Sequence, residues 1–308
     1  MTKKLDKWDL KILSQIEFNY RKSHQEVASK IKRSKAFVTY RIKKMEEDRI
    51  ISYQPLIDYS SLGYTYYRVI IETLLDKKEL TKYLKKSTHT VWLVEKYDRE
   101  NFVLVLAAKS FGEFQNIWEE LYEIISPFIL TKDISLAYKV YHLPCSFLTN
   151  HKRDIEYITG SREKQETNEI EEKVLELLTD KPKISWQTLA KEANIAYNTF
   201  KKIVKTLKEK NILLAFQTII NKEELNIKHY KLFLSFDFSK KNKNQVIELL
   251  KTNKNVVYIT ETSYNYDLEC ELYTDSQEDF EKVLSNIKTN YPFRRIVVSQ
   301  MKTEVKLA

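Results

Sequence analysis

The sequence predicts an α+β chain built twice over, a three-helix head followed by a β-α-β-β-α-β segment and then both again. Three observations predict this. Residues 5–63 hold three short amphipathic helices opened by polar capping residues, then a short apolar β element. A shift of 162 residues returns the same apolar skeleton. After each skeleton, period-2 and period-3.6 runs alternate in one order.

Asp6 caps a first helix whose inward positions are Ile12, Leu13 and Ile16. Ser23-His-Gln-Glu26 has the capping-box pattern, in which the hydroxyl accepts from the N3 amide and the carboxylate returns to the cap amide. It opens a second helix with Val27, Ala28 and Ile31 inward, and Ser34 caps a third with Val38, Ile42 and Met45 inward. That spacing leaves Lys35, Thr39, Tyr40, Lys43 and Lys44 on the outer surface. A turn followed by a capped basic helix is the arrangement that seats a recognition helix in the major groove. Residues 50–53 and 56–58, around Gln54-Pro55, suit a β-hairpin wing.

The segment resembles the N-terminal half of the Lrp/AsnC (feast/famine) family of prokaryotic transcription regulators. The resemblance rests on Leu5-Asp6, Asp9, Ile12-Leu13, Arg21, Ala28, Ser34, Val38, Arg41-Ile42, Met45-Glu46-Glu47, Ile50, Asp58 and Leu62-Gly63. It departs at Asp48-Arg49, where the family usually has glycine, so the helix exit needs another geometry or a strained residue.

The repeat pairs Ile12 with Val174, Leu13 with Leu175, Ser23 with Ser185, Ala28 with Ala190, Ile42 with Val204 and Met45 with Leu207. One residue inserted in the wing then pairs Asp58 with Asn221, Leu62 with Leu225 and Tyr67 with Tyr230. In the second third helix Ala196 replaces the cap Ser34 and Ile203 replaces Arg41, while Lys201, Lys202 and Lys205 keep it basic. It serves either phosphate contact or packing.

Each head precedes an α/β segment. In the first, 65–74, 91–96, 102–107 and 132–142 read as strands, and 77–87 and 111–125 as helices with Leu80, Tyr83, Leu84, Phe114, Trp118 and Leu121 inward. In the second the order recurs as 230–238, 242–251, 256–262, 267–273, 276–290 and 294–303. That order is ferredoxin-like, and the resemblance implies it as the domain that regulates and dimerises. The expected organisation is a winged helix-turn-helix domain over 1–60, a ferredoxin-like domain over 61–142 and a linker over 143–167. A second winged helix over 168–222 and a second ferredoxin-like domain over 223–308 follow. The polar linker leaves the arrangement of the halves open.

The charge of +9 and pI near 9.1 favour a polyanionic partner, here duplex DNA. No run of eighteen apolar residues and no signal peptide is present, so the expected compartment is the cytoplasm, with no membrane partner. Cys145 and Cys270 stand apart as reduced thiols. With Gly63, Gly112 and Gly160 as its only glycines the chain has no P-loop or GxGxxG cradle, and its five histidines lack metal-ligand spacing. No cofactor, metal or catalytic residue is expected, and the reading is of a protein that is not an enzyme.

Lys43 and Lys44 are the candidates for phosphate contact, with Arg41 either contacting phosphate or pairing with a helix carboxylate. Lys35, Thr39 and Tyr40 are the candidates for base edges. The resemblance also implies an amino-acid effector near the turn between strands two and three of the α/β segment. There the chain offers Asp98, Asn101 and Asp267, but neither turn has the family's glycine. The function expected is a DNA-binding transcription regulator reading through the first head, self-associating through its α/β segments within or between chains. A protein-interaction scaffold and a haem-biosynthesis decarboxylase-like enzyme on this architecture are the alternatives.

Overall fold

The computed structural model describes residues 4–74, 80–82, 84, 89–97, 101–149, 156–237, 239–263 and 265–307. The chain forms two compact units, each drawing on both halves. One comprises Met1–Leu62, Leu148–Tyr157 and Arg162–Asn226; the other comprises Gly63–Phe147, Ile158–Ser161 and Ile227–Ala308.

The first unit is a pair of heads. Helices α1 (Lys7–Ile16), α2 (His24–Ile31) and α3 (Lys35–Glu47) start at Asp6, Ser23 and Ser34, whose side chains accept from the amides the sequence predicts. Ile12, Leu13, Ile16, Val27, Ala28, Val38, Ile42 and Met45 form their core. In the second head α3 has its counterpart in a helix over Tyr197–Glu209, behind helices over Glu169–Asp180 and Trp186–Glu192. The third helix ends without glycine: Arg49 itself takes φ 57°, and the Ile50 amide donates to the Met45 carbonyl at 2.8 Å. Its repeat mate Asn211 adopts φ 55°, a conformation asparagine reaches at lower cost than arginine.

The wing departs from the expected hairpin. Residues Ile51–Ile57 form one strand, β1, that runs through Gln54-Pro55 without turning. It pairs antiparallel with Leu213–Ile220 of the second head, from Ile51↔Ile220 to Ile57↔Leu213. Each head thus supplies half of a shared two-stranded sheet. Both strands are edges, where the missing N–H of Pro55 is tolerated. The inserted wing residue of the second half appears as a register shift: Leu56 faces Ala215 and Ile57 faces Leu213, leaving Leu214 as the extra residue. Around this seam Thr218 donates to the Ile16 carbonyl at 2.8 Å. Arg21 lies among the rings of Tyr20, Trp186 and Phe216 and donates to the Ile184 carbonyl at 2.7 Å.

The polar segment between the halves is also engaged. The Arg162 guanidinium meets the fully buried Asp58 at 2.7 Å, and the Gln165 amide donates to the Ser61 carbonyl. Asp58 also accepts from the hydroxyl of Ser60 at 2.7 Å.

The second unit is a closed ring of strands. β2 (Thr65–Thr73), β3 (Thr90–Lys96), β4 (Asn101–Ala108) and β5 (Ile129–His142) come from the first half. Lys228–Ser235, Val256–Ser263, Leu268–Thr274 and Arg295–Leu307 come from the second. Within each half the order is last-first-third-second, the ferredoxin-like order. Between halves, β3 pairs with Arg295–Leu307 and β5 with Val256–Ser263, while β2 pairs with β5 to close the circuit. A short strand over Tyr157–Thr159 pairs with β5. The two α/β segments therefore pair inside one chain, and the closed ring leaves its eight strands without edges.

Helices over Phe111–Ile125, Lys240–Thr252 and Gln277–Asn290 cover the outer faces, and Leu80 and Leu84 are helical and buried. Most of the expected helix over 77–87, with Tyr83, lies outside the described residues. The repeat is visible in packing: Tyr67 stacks on Phe114 at 4.0 Å, and Tyr230 on Phe280 at 3.8 Å.

The ring interior is charged. Arg68 pairs with Glu269 across the ring and donates to Ser135 at 2.6 Å. Lys231 meets Glu269 at 2.9 Å and Glu271 at 3.0 Å, and His229 meets Glu271 at 2.9 Å. By the repeat, Arg68 and Lys231 are mates, whereas Val103 and Val105 occupy the places of Glu269 and Glu271. Both carboxylates belong to the second half.

Candidate nucleic-acid interface

The outer face of α3 is built from its inner one. Val38, Ile42 and Met45 are buried against α1 and α2, which turns Lys35, Thr39, Tyr40, Lys43 and Lys44 into solvent. Tyr40 is 61% exposed. Lys43 carries only a solvated pair with Glu47 at 3.5 Å.

Neighbours fix the flanks of the helix. On the α2 side the Thr39 hydroxyl and His24 Nδ1 are 2.8 Å apart. Burial holds the His24 pKa below the usual histidine value, Glu46 pulls it up and Lys35 pushes it down again. Glu46 is itself held by the Tyr53 hydroxyl at 2.7 Å and by Lys183 of the second head at 2.6 Å. On the α1 side Arg41 Nε and Nη2 each donate to Asp9 at 2.8 Å, and the guanidinium also pairs with Asp6. Of the two roles open to Arg41, this geometry realises carboxylate pairing, with the planar fork spent on α1.

The third helix of the second head keeps Lys201, Lys202 and Lys205 exposed, and Lys205 pairs with Glu209 as Lys43 does with Glu47. Ala196 supplies no side-chain cap. With Ile203 in place of Arg41, the counterpart of Asp9, Glu171, is held by Lys210 at 2.9 Å. Sequence reading missed this exchange, although a lysine at the repeat position of Asp48 is the signal for it.

Of the effector candidates, Asp98 lies outside the described residues, as does the side chain of Asn101. Asp267 accepts from the Phe236 amide at 2.9 Å, fixing the end of one strand against the next. Among the described residues no group of three His, Cys, Asp or Glu is placed to hold a metal, and no helix is long and apolar enough to cross a membrane.

Both heads match the same family model, that of winged helix-turn-helix DNA-binding domains, over residues 5–52 and 167–213. The chain carries two winged helix-turn-helix domains. In solved structures, siroheme decarboxylase NirDL corresponds over 98% of this chain and 93% of its own, at 14% identity and TM-score 0.66. The same enzyme with an iron-uroporphyrin III analogue corresponds over the same shares at 15% identity and TM-score 0.64. AsnC of E. coli corresponds over 45% of this chain and 94% of its own, at 15% identity and TM-score 0.41. No curated protein matches the chain by sequence.

The two winged-helix domains and the closed ring make the chain a tandem duplication, with its second half divergent. The expectation that the protein is not an enzyme is overturned, because a decarboxylase carries this fold over nearly the whole chain. The physical reason is plain. Absence of a glycine cradle or a metal spacing excludes only chemistries that need them, and one fold hosts unrelated functions.

Proposed function

We propose that the chain is a DNA-binding transcription regulator that reads duplex DNA chiefly through α3 of the first head. The observation that carries this reading is the side of α3 opposite its buried stripe. It presents an exposed tyrosine and threonine for base edges, with exposed lysines beside them for phosphate. The heads form one seam through their shared sheet, so the second helix is held in register with the first and adds Lys201, Lys202 and Lys205. The protein is thus a covalent pseudo-dimer, and an amino-acid effector is a further expectation of the reading. The test is binding of a duplex followed by fluorescence anisotropy at several salt concentrations. Lys43→Ala should weaken binding to all sequences alike and reduce the salt slope by about one unit. An unchanged slope removes Lys43 from the interface.

A second reading, catalysis of the decarboxylase kind, is supported by the full-length likeness to siroheme decarboxylase. Titration of the protein with siroheme tests it: a shifted absorption band on binding, followed by released carbon dioxide, supports an enzyme. An unchanged spectrum counts against one.

A further inference from the structure

We propose that the start of α1 and the turn between α2 and α3 form a second phosphate-binding patch, which carries the DNA backbone beyond the recognition helix. The inference rests on the DNA-binding reading and extends it to residues outside α3. At its centre is the half-buried Trp8. The Arg33 guanidinium lies 3.8 Å from its ring centroid, Lys11 Nζ 4.8 Å and Lys7 Nζ 5.4 Å. Phe37, on the recognition helix, meets the indole edge-on at 6.2 Å. The patch is therefore continuous with α3.

Three cations gathered on one ring repel one another, and the electron-rich indole face offsets only part of that repulsion. All three are exposed, and no carboxylate among the described residues forms an ion pair with them. This sets them apart from Arg41, the neighbouring cation, which two aspartates neutralise. An arrangement of unneutralised cations around a rigid planar anchor suits a line of phosphates. Its ligand is a polyanion, because three separate cations spread over α1 and the turn before α3 match successive phosphates of a backbone.

The second head supplies an internal comparison. The repeat places Glu169 at the position of Lys7, Ile170 at Trp8 and Ile195 at Arg33; only Lys11 keeps its charge, as Lys173. The first turn of that helix holds Glu169, Glu171 and Glu172, and Ile170 is 47% exposed. The same surface is thus basic and aromatic on one head and acidic and aliphatic on the other. Packing does not account for the difference, since the buried positions of the two heads remain apolar alike. The patch gives the pseudo-dimer a one-sided grip, with the backbone extended past the first head only.

The test uses the full chain and a random-sequence duplex of about 30 base pairs, because phosphate contacts do not depend on sequence. Lys7→Ala/Lys11→Ala/Arg33→Ala should lower the slope of log K against log salt by about two to three, at roughly 0.9 for each phosphate lost. Lys173→Ala in the second head should leave the slope unchanged. A 5-fluorotryptophan-labelled chain provides a direct readout. The resonance that Trp8→Phe removes should move on addition of duplex, and should not move on addition of acetate. If the triple variant keeps the wild-type slope while Lys43→Ala lowers it, the patch is refuted and the reading of α3 survives. If wild-type protein shows no salt-dependent binding, both fall together.

Discussion

Replacing Arg68 by methionine tests how the two halves recognise each other. Its side chain is 3% exposed and its partner Glu269 1% exposed, so the substitution leaves a carboxylate in the ring interior with one cation fewer. Glu269 then keeps only Lys231 as a cationic partner, and Lys231 is shared with Glu271. Breaking a buried pair in this way costs about 3–5 kcal/mol. In urea, with a slope of about 1–3 kcal/mol per molar, the midpoint for the unit should fall by roughly 2 M. Arg68→Met/Glu269→Met removes one charge of each sign, leaves Lys231 with Glu271, and should recover most of the loss. Two first halves closing such a ring would bury Arg68 twice with Val103 and Val105 in the places of Glu269 and Glu271, leaving Asp133 as the acidic neighbour on the strand beside it. A single variant costing under about 1 kcal/mol, or a double variant no better than the single, would refute the argument.

Three further outcomes are expected. Gly160 has φ 91°, and an added Cβ would lie 2.2 Å from the Tyr138 carbonyl oxygen. Gly160→Ala should accordingly lower the melting temperature by several degrees, a loss of about 2 kcal/mol or more, whereas Gly112→Ala should not. Arg41→Lys cannot keep the two-pronged bond to Asp9, and thermal melts should show about 1–2 kcal/mol lost from the heads. His142 Nε2 bonds the Thr159 hydroxyl at 3.0 Å, and burial pulls the ring's pKa down to about 4. A depressed histidine gives stability that is present above its unfolded pKa near 6.5 and lost as pH falls towards 4. His142 is only partly buried, so roughly 2 kcal/mol should be lost across that window, and His142→Gln should flatten the profile.

Local chemistry was legible in the sequence where a residue and its partner are close in the chain. Asp6, Ser23 and Ser34 sit at helix starts because each cap and the amide it accepts from lie within three residues. The wing insertion was legible as an offset in the repeat and appears as the register shift at Leu56/Ile57. Long-range pairing was not. Residues 50–58 carry the apolar pattern and turn residues of a hairpin, but the strand that pairs with them lies some 160 residues away. Leu268-Glu-Cys-Glu-Leu272 alternates like a strand with one wet face, yet every residue of it is buried, because ring closure puts the polar face inside. The Arg41 role stayed open because its spacing on α3 suits either phosphate or a carboxylate on α1. The basic patch around Trp8 depends on a turn bringing Arg33 back to α1, which no local period encodes.

The central claim is that the first head reads DNA. Selection of bound duplexes from a random library, carried out in parallel with wild-type protein and Tyr40→Ala, tests it most directly. Wild type should enrich an asymmetric site with one well-defined half and one loose half. Tyr40→Ala should relax the defined half at one or two positions, at a cost of about 1–3 kcal/mol each. Recovery of unenriched sequences by the wild-type protein, or the same defined half with Tyr40→Ala, would contradict the account.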